Sequence, residues 1–255
     1  MELSIQEMQA YQLEMLDILV DVCEKNNIQY LLHAGNALGA IRHGGPIPWD
    51  YDTDILVPEN NIDKLCEFLP RALGKKFWLD YNGLDRSSKR HFPRIALSGY
   101  ESEVLHIDIF RLIGFPENRK KQEWIYKKGI ILHRLLKFKR TRKGSTPFKT
   151  FLLSIITFPI PVCLMLKVYS KYCKKYPYEQ SKYAAYIAGT NGTKNIHKRE
   201  IYDNYMKVNY SGLKVRIVKN YDFFFKQLYG DYMQLPQDEE RERIMQSTYV
   251  VKEVQ

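Results

Sequence analysis

Cysteine is scarce in this chain: four in 255 residues, Cys23, Cys66, Cys163 and Cys173, with no Cys-x-x-Cys pair. That spacing argues against a structural zinc site and a disulfide framework, and free thiols fit a reducing compartment. The six histidines are likewise scattered without metal-ligand spacing. Internal repeats and low-complexity linkers are lacking, which speaks against a solenoid and against a freely moving second domain. The uncharged, mostly apolar run 151–166 falls short of the roughly 20 residues a bilayer span needs, and Pro159 and Pro161 interrupt it. At the N-terminus an amphipathic pattern with Glu2, Glu7, Glu14 and Asp17 replaces the basic, apolar, small-residue order of a secretory signal. The expectation is a cytoplasmic protein.

What the chain does have is Pro48-Trp49-Asp50-Tyr51-Asp52-Thr53-Asp54-Ile55, with carboxylates at alternate positions. On a strand, side chains two apart share a face, so Asp50, Asp52 and Asp54 would stand together. Like charges that close raise one another's pKa and cost stability unless a cation or solvent offsets them. Hard divalent cations take oxygen ligands, and carboxylates spaced this way can share one ion or two. Two readings stay open on spacing alone, a solvated acidic strand edge or a metal site.

Just upstream, residues 28–32 read as a strand, and Ala34-Gly35-Asn36-Ala37-Leu38-Gly39-Ala40-Ile41-Arg42 as a turn entering a helix. A glycine there lets backbone N–H groups approach an anion at a helix N-terminus, or serves only as a cap. The loop lacks the Gly-Lys-Ser/Thr ending of a P-loop, and Gly35 with Gly39 is no GxGxxG fingerprint. Farther on, Val104-Leu105-His106-Ile107-Asp108-Ile109-Phe110 reads as a mostly buried strand. A buried aspartate needs a partner, so Asp108 is either ion-paired with an arginine or a third ligand that also takes a proton from an acceptor hydroxyl.

Residues 33–55, with Gly35, Leu38-Gly39-Ala40, Arg42-His43, Ile47-Pro48-Trp49-Asp50 and the Asp52/Asp54 pair, resemble the signature of LicD-type phosphotransferases, relatives of fukutin and fukutin-related protein within the nucleotidyltransferase fold. The resemblance continues in His106-Ile107-Asp108-Ile109-Phe110 and in Leu228-Tyr229-Gly230-Asp231-Tyr232-Met233-Gln234-Leu235-Pro236. It implies a metal centre in which Asp52, Asp54 and Asp108 are the ligands and catalytic carboxylates, with Mg2+ as the ion and Mn2+ as the alternative. Asp108 is also assigned as general base. Substrate contacts are expected from Gly35, Asn36, Arg42, His43, Trp49, Asp50 and Arg94, the two arginines facing phosphate oxygens. Tyr51 stands where the family usually carries an acidic residue, and Thr53 where it carries an apolar one.

The implied reaction moves a phosphorylated alcohol from a CDP-linked donor to a hydroxyl of a cell-surface glycan and releases CMP. CDP-choline is the first expectation. CDP-ribitol or CDP-glycerol, and a true nucleotidyltransferase that transfers NMP, are the alternatives. A choline headgroup would want an aromatic cage, to which Trp49, Tyr51 or Tyr81 could contribute.

The expected architecture is α/β: a nucleotidyltransferase-like mixed-sheet core in residues 1–115 and a basic, apolar, mainly helical region in 116–255. Helices are expected over 5–24, 61–69 (ended by Pro70) and around 238–245, and strands through 57 and near 77–81, 94–97 and 104–110. The formal charge of +10 is concentrated in 119–149, which includes Lys127, Lys128, Arg134, Lys137, Lys139, Arg140, Arg142 and Lys143. Beside the apolar run 151–166, this suits a segment lying on the anionic inner face of the cell membrane, near a lipid-linked glycan acceptor, or a buried helical hairpin with a solvated basic face. No RNA-binding motif supports a nucleic-acid partner.

Overall fold

A computed structural model of the chain describes residues 1–141, 146–187, 192–235 and 237–253. Arg142 and Lys143 of the basic run, and Pro236 of the last motif, lie outside the described residues. The chain opens with β1 (Glu2–Ser4), α1 (Ile5–Lys25), β2 (Leu31–Leu32), α2 (Ala34–Arg42), β3 (Asp54–Pro58) and α3 (Glu59–Leu73). Then come β4 (Phe77–Asp80), β5 (Arg94–Leu97), β6 (His106–Phe115), α4 (Arg119–Thr141), α5 (Pro147–Thr157) and α6 (Val162–Cys173). After β7 (Tyr183–Tyr186), β8 (His197–Lys198) and α7 (Glu200–Asp203), the hairpin β9 (Tyr205–Tyr210) and β10 (Leu213–Val218) leads to α8 (Tyr221–Tyr229), α9 (Asp238–Met245) and β11 (Thr248–Val250). The α/β class expected from the sequence is what the chain adopts.

Two compact units are assembled from separated segments: the first from 1–79, 94–109 and 200–255, the second from 80–93 and 110–199. In the first, strands lie in the order β2-β3-β6-β5-β4, with β2 antiparallel to β3 and β5 antiparallel to β6. Helix α1 begins at a capping box, Ser4 Oγ accepting from the Glu7 amide at 3.3 Å while Glu7 Oε2 accepts from the Ser4 amide at 2.8 Å. Its inward face, Ile5, Met8, Gln12, Met15, Leu16 and Leu19, follows the helical period and is buried. The β9–β10 hairpin turns on Ser211 and Gly212, both at positive φ, the two-residue geometry that matches strand twist. Ser211 then donates its amide to the Gly44 carbonyl at 2.6 Å.

The second unit is built on the last residues of β6, which pair antiparallel with β7, and β7 with β8. Its core joins Ile113 and Phe115 to Ile125, Tyr126 and Leu136 of α4 and to Met165, Leu166 and Tyr169 of α6. A buried ion pair links Arg90 Nε to Asp80 Oδ2 at 2.8 Å.

Several expected boundaries differ: β2 is only Leu31–Leu32 of the strand expected over 28–32, and β6 runs on to Phe115 instead of ending near 110. Helix α3 runs through Pro70 and stops at Leu73, before Gly74 at φ 63°. Leu65, Leu69 and Leu73 bury one stripe, and that burial carries the helix past the backbone bond Pro70 cannot make. The aspartate strand begins only at Asp54, so Asp50 and Asp52 lie in irregular chain and strand alternation does not place them.

Candidate functional site

Residues 50–53 are irregular, and side chains supply most of the partners of their backbone. Gln9 Nε2 of α1 donates to the carbonyls of Ile47 at 2.9 Å and Asp50 at 2.7 Å. One turn on, Gln12 Nε2 donates to the Tyr51 carbonyl at 2.9 Å and to that of His106 at 3.1 Å. From α2, Asn36 Nδ2 donates to the Asp52 carbonyl at 2.8 Å, and Asn36 Oδ1 accepts from the Asp54 amide at 2.7 Å. The Asp108 amide of β6 donates to the Thr53 carbonyl at 2.9 Å. Two glutamines, one asparagine and one strand amide therefore clamp the loop that carries the carboxylates. Asn36, expected at a phosphate, has both ends of its amide engaged in this clamp.

Asp50, Asp52, Asp54 and Asp108 are brought close enough to repel one another. Burial first, and the charge of Asp52 second, push the Asp50 carboxyl up to about 8. Asp54 is raised well above the usual carboxylate range by burial, then by Asp52, Asp108 and Asp50, with Arg94 partly offsetting the repulsion. A Cβ at Gly35 would collide with the Asp50 carboxylate, so glycine at the start of α2 is what lets that carboxylate approach. The group found against the expected anion cradle is thus the protein's own Asp50.

Asp108 realises the ion-pair reading. Arg94 Nε contacts its Oδ1, Arg94 Nη2 donates to its Oδ2 at 2.8 Å, and Arg94 Nη1 donates to the Ser102 carbonyl. Arg94, expected at a phosphate, is buried, with its guanidinium against Asp108, the Ser102 carbonyl and, at 3.6 Å, Glu103. Among the described residues, no three His, Cys, Asp or Glu side chains stand ready-gathered to hold a metal ion. The chemistry of the donor set nevertheless suits a hard cation: every side chain in it offers oxygen, and two carboxyls carry excess proton affinity that a cation would relieve.

A cationic, aromatic wall belongs to the same unit. The guanidinium of Arg42 lies 5.8 Å, and that of Arg241 5.2 Å, from the Trp49 ring centre. Arg42 Nε donates to His43 Nε2 at 2.9 Å, and Arg42 Nη1 to the Tyr232 carbonyl at 2.8 Å. Burial and then the charge of Arg241 work against the Arg42 proton, and burial and then Arg42 lower His43. Cations held together this way are relieved by an anion, as the carboxylates are by a cation. The Tyr229 hydroxyl is raised by burial and then by the charges of Asp50, Asp54 and Asp52, with Arg42 working the other way.

Among the described residues, the rings expected in an aromatic cage each have another neighbour. Trp49 faces two guanidinium groups, Tyr51 stacks on Tyr249 at 5.2 Å, and Tyr81 belongs to the second unit beneath Arg111. Sequence reasoning missed Gln9, Gln12, Tyr229 and Arg241. A polar Gln12 on the buried stripe of α1 was the one visible signal. Arg241 sits among five charged neighbours in 238–243 and looks like ordinary helix surface.

The LicD/FKTN/FKRP nucleotidyltransferase domain family matches residues 27–161, which hold Asn36 of the clamp and all four aspartates. The chain belongs to the LicD family. Lipopolysaccharide cholinephosphotransferase LicD of Haemophilus influenzae is 24% identical over 269 aligned residues, covering 98% of this chain and 99% of that protein. Human ribitol 5-phosphate transferase FKRP is 33% identical over 111 residues, 42% of this chain but 21% of the human protein. The uncharacterised protein RP689 of Rickettsia prowazekii is 41% identical over 51 residues, 20% of this chain and 19% of its own. As a LicD-type phosphotransferase, the chain transfers a phosphorylated alcohol.

Proposed function

We propose that this LicD-type phosphotransferase takes a phosphorylated alcohol from a CDP-linked donor, places it on a hydroxyl of a cell-surface glycan and releases CMP. The observation that carries the reading is the pairing of two unbalanced charge clusters in one unit, four aspartates and the Arg42–Trp49–Arg241 wall. A diphosphate with its counter-cation supplies the charge that each cluster lacks. Asp52, Asp54 and Asp108 would hold Mg2+, which when bound neutralises phosphate oxygens and stabilises the leaving group. Arg42 and Arg241 bind and orient the diphosphate, the planar guanidinium suiting phosphate oxygens. Gln9, Gln12 and Asn36 hold the aspartate loop in place. Asp108 takes the proton from the acceptor hydroxyl.

Similarity to a cholinephosphotransferase over nearly the full chain supports phosphocholine as the group moved. One observation favours a polyol donor instead: guanidinium groups on Trp49 repel a quaternary ammonium, whereas ribitol or glycerol is neutral. Incubation with CDP-choline, CDP-ribitol, CDP-glycerol and CTP separately, with Mg2+ and a glycan acceptor, tests the reading. CMP from one CDP-alcohol supports it and names the alcohol. Pyrophosphate from CTP, with no CMP from any CDP-alcohol, would replace it with nucleotidyl transfer.

A further inference from the structure

From Trp124 to Tyr178 the chain contains no aspartate or glutamate, an interval that includes most of α4 and all of α5 and α6. Within it lie exposed Lys127, Lys128, Arg134, Lys137, Lys167, Lys171 and Lys175. Besides the side chains it buries in the core, the same interval exposes large apolar ones. Phe151 and Ile155 are four apart on α5 and Phe158 follows three later, one helical stripe, and Phe158 is 82% exposed. On α6, Leu164 and Val168 are exposed at the same spacing, alternating with Lys167 and Lys171. Trp124 of α4 is 59% exposed, with Lys128 Nζ 5.2 Å from its ring centre.

Exposed lysines and apolar residues of α4 and α6 share one surface. Leu164, Lys167, Val168 and Lys171 line a cavity of about 410 Å3 whose other walls include Arg86 and Arg111. Val168 and Lys171 also line a second cavity of about 240 Å3 with Trp124 and Lys128. Among the described residues no helix is long and apolar enough to cross a membrane. Exposed Phe and Trp interleaved with lysine, with no acid nearby, is the composition of a helix surface that lies in the interface of an anionic bilayer. A nucleic acid would meet the charge but would leave Phe151, Ile155 and Phe158 in water.

We propose that the α4–α6 surface docks on a bilayer containing anionic phospholipid, with Phe151, Ile155 and Phe158 entering the interface and a lipid phosphate received at the Lys167/Lys171 cavity. The proposal does not depend on the transfer reading, because vesicle binding is read without turnover. The test is co-sedimentation of the full chain with vesicles of phosphatidylcholine alone and of phosphatidylcholine mixed with phosphatidylglycerol. Binding is expected to the mixed vesicles only, weakened roughly tenfold or more by Lys167→Glu with Lys171→Glu and similarly by Phe151→Ser with Phe158→Ser. Should a double variant melt early, Phe158→Ser alone, at the most exposed of these positions, gives the same reading. No binding to anionic vesicles, equal binding to neutral ones, or charge-dependent binding indifferent to the phenylalanine changes would each overturn it. The last result, with tight binding of an RNA homopolymer, would assign the surface to nucleic acid.

Discussion

Asp50 carries the largest numerical consequence of the site. Its folded pKa of about 8 stands against an ordinary 3.8. Between those values the folded chain keeps a proton that the unfolded chain releases, so its stability is greatest at the acid end and falls as pH rises through about 8. Thermal unfolding without divalent ions should therefore show Asp50→Asn losing a component that lowers Tm across that window, measured as wild type minus variant because buried His91 and His197 act with the opposite sign. A difference between wild type and variant that does not change with pH there would contradict the burial and repulsion argued for Asp50. Asn36→Ala leaves the Asp54 amide and Asp52 carbonyl without their side-chain partner. Denaturant unfolding should show a loss of about 1–3 kcal/mol, with turnover lost as the loop loosens. Gly35→Ala should keep the fold but lower turnover, because its Cβ would displace the Asp50 carboxylate.

At the scale of elements, α9 closes the phosphate wall from near the far end of the sequence. Arg241→Ala should raise KM for the CDP-linked donor by roughly tenfold or more, the worth of one charge-assisted contact, with kcat less affected. An unchanged KM would remove Arg241 from the donor site. The sequence shows α2, β5 and α9 closely, and β6 over its first half only, since periodicity and polar flanks mark them. It also shows the four aspartates, because acidic residues on alternate positions are rare enough to notice. It does not show how the loop is held. Asp50 and Asp52 look like strand residues until the side chains of Gln9, Gln12 and Asn36 are seen occupying the backbone groups a strand would pair. Arg94 reads as a phosphate ligand until β5 and β6 are paired with Arg94 opposite Asp108. Both depend on long-range contacts, which local pattern does not carry.

For the whole molecule, the charges are segregated: mutually repelling carboxylates and arginines in the first unit, and in the second a run from 124 to 178 that carries bases and no acid. Each imbalance costs stability in the free protein and is relieved by a ligand of opposite sign. Wild-type Tm should rise with Mg2+, and rise again when a CDP-alcohol is added, whereas Asp52→Asn with Asp54→Asn should blunt the first rise. The most direct test of the central claim is CMP release from a panel of CDP-linked alcohols on a glycan acceptor, with and without Mg2+, for wild type and Asp54→Asn. The account predicts Mg2+-dependent release from one CDP-alcohol by the wild type, and loss of that release in the folded variant. Wild-type release that survives chelation, or a folded Asp54→Asn variant that turns over at the wild-type rate, would contradict it.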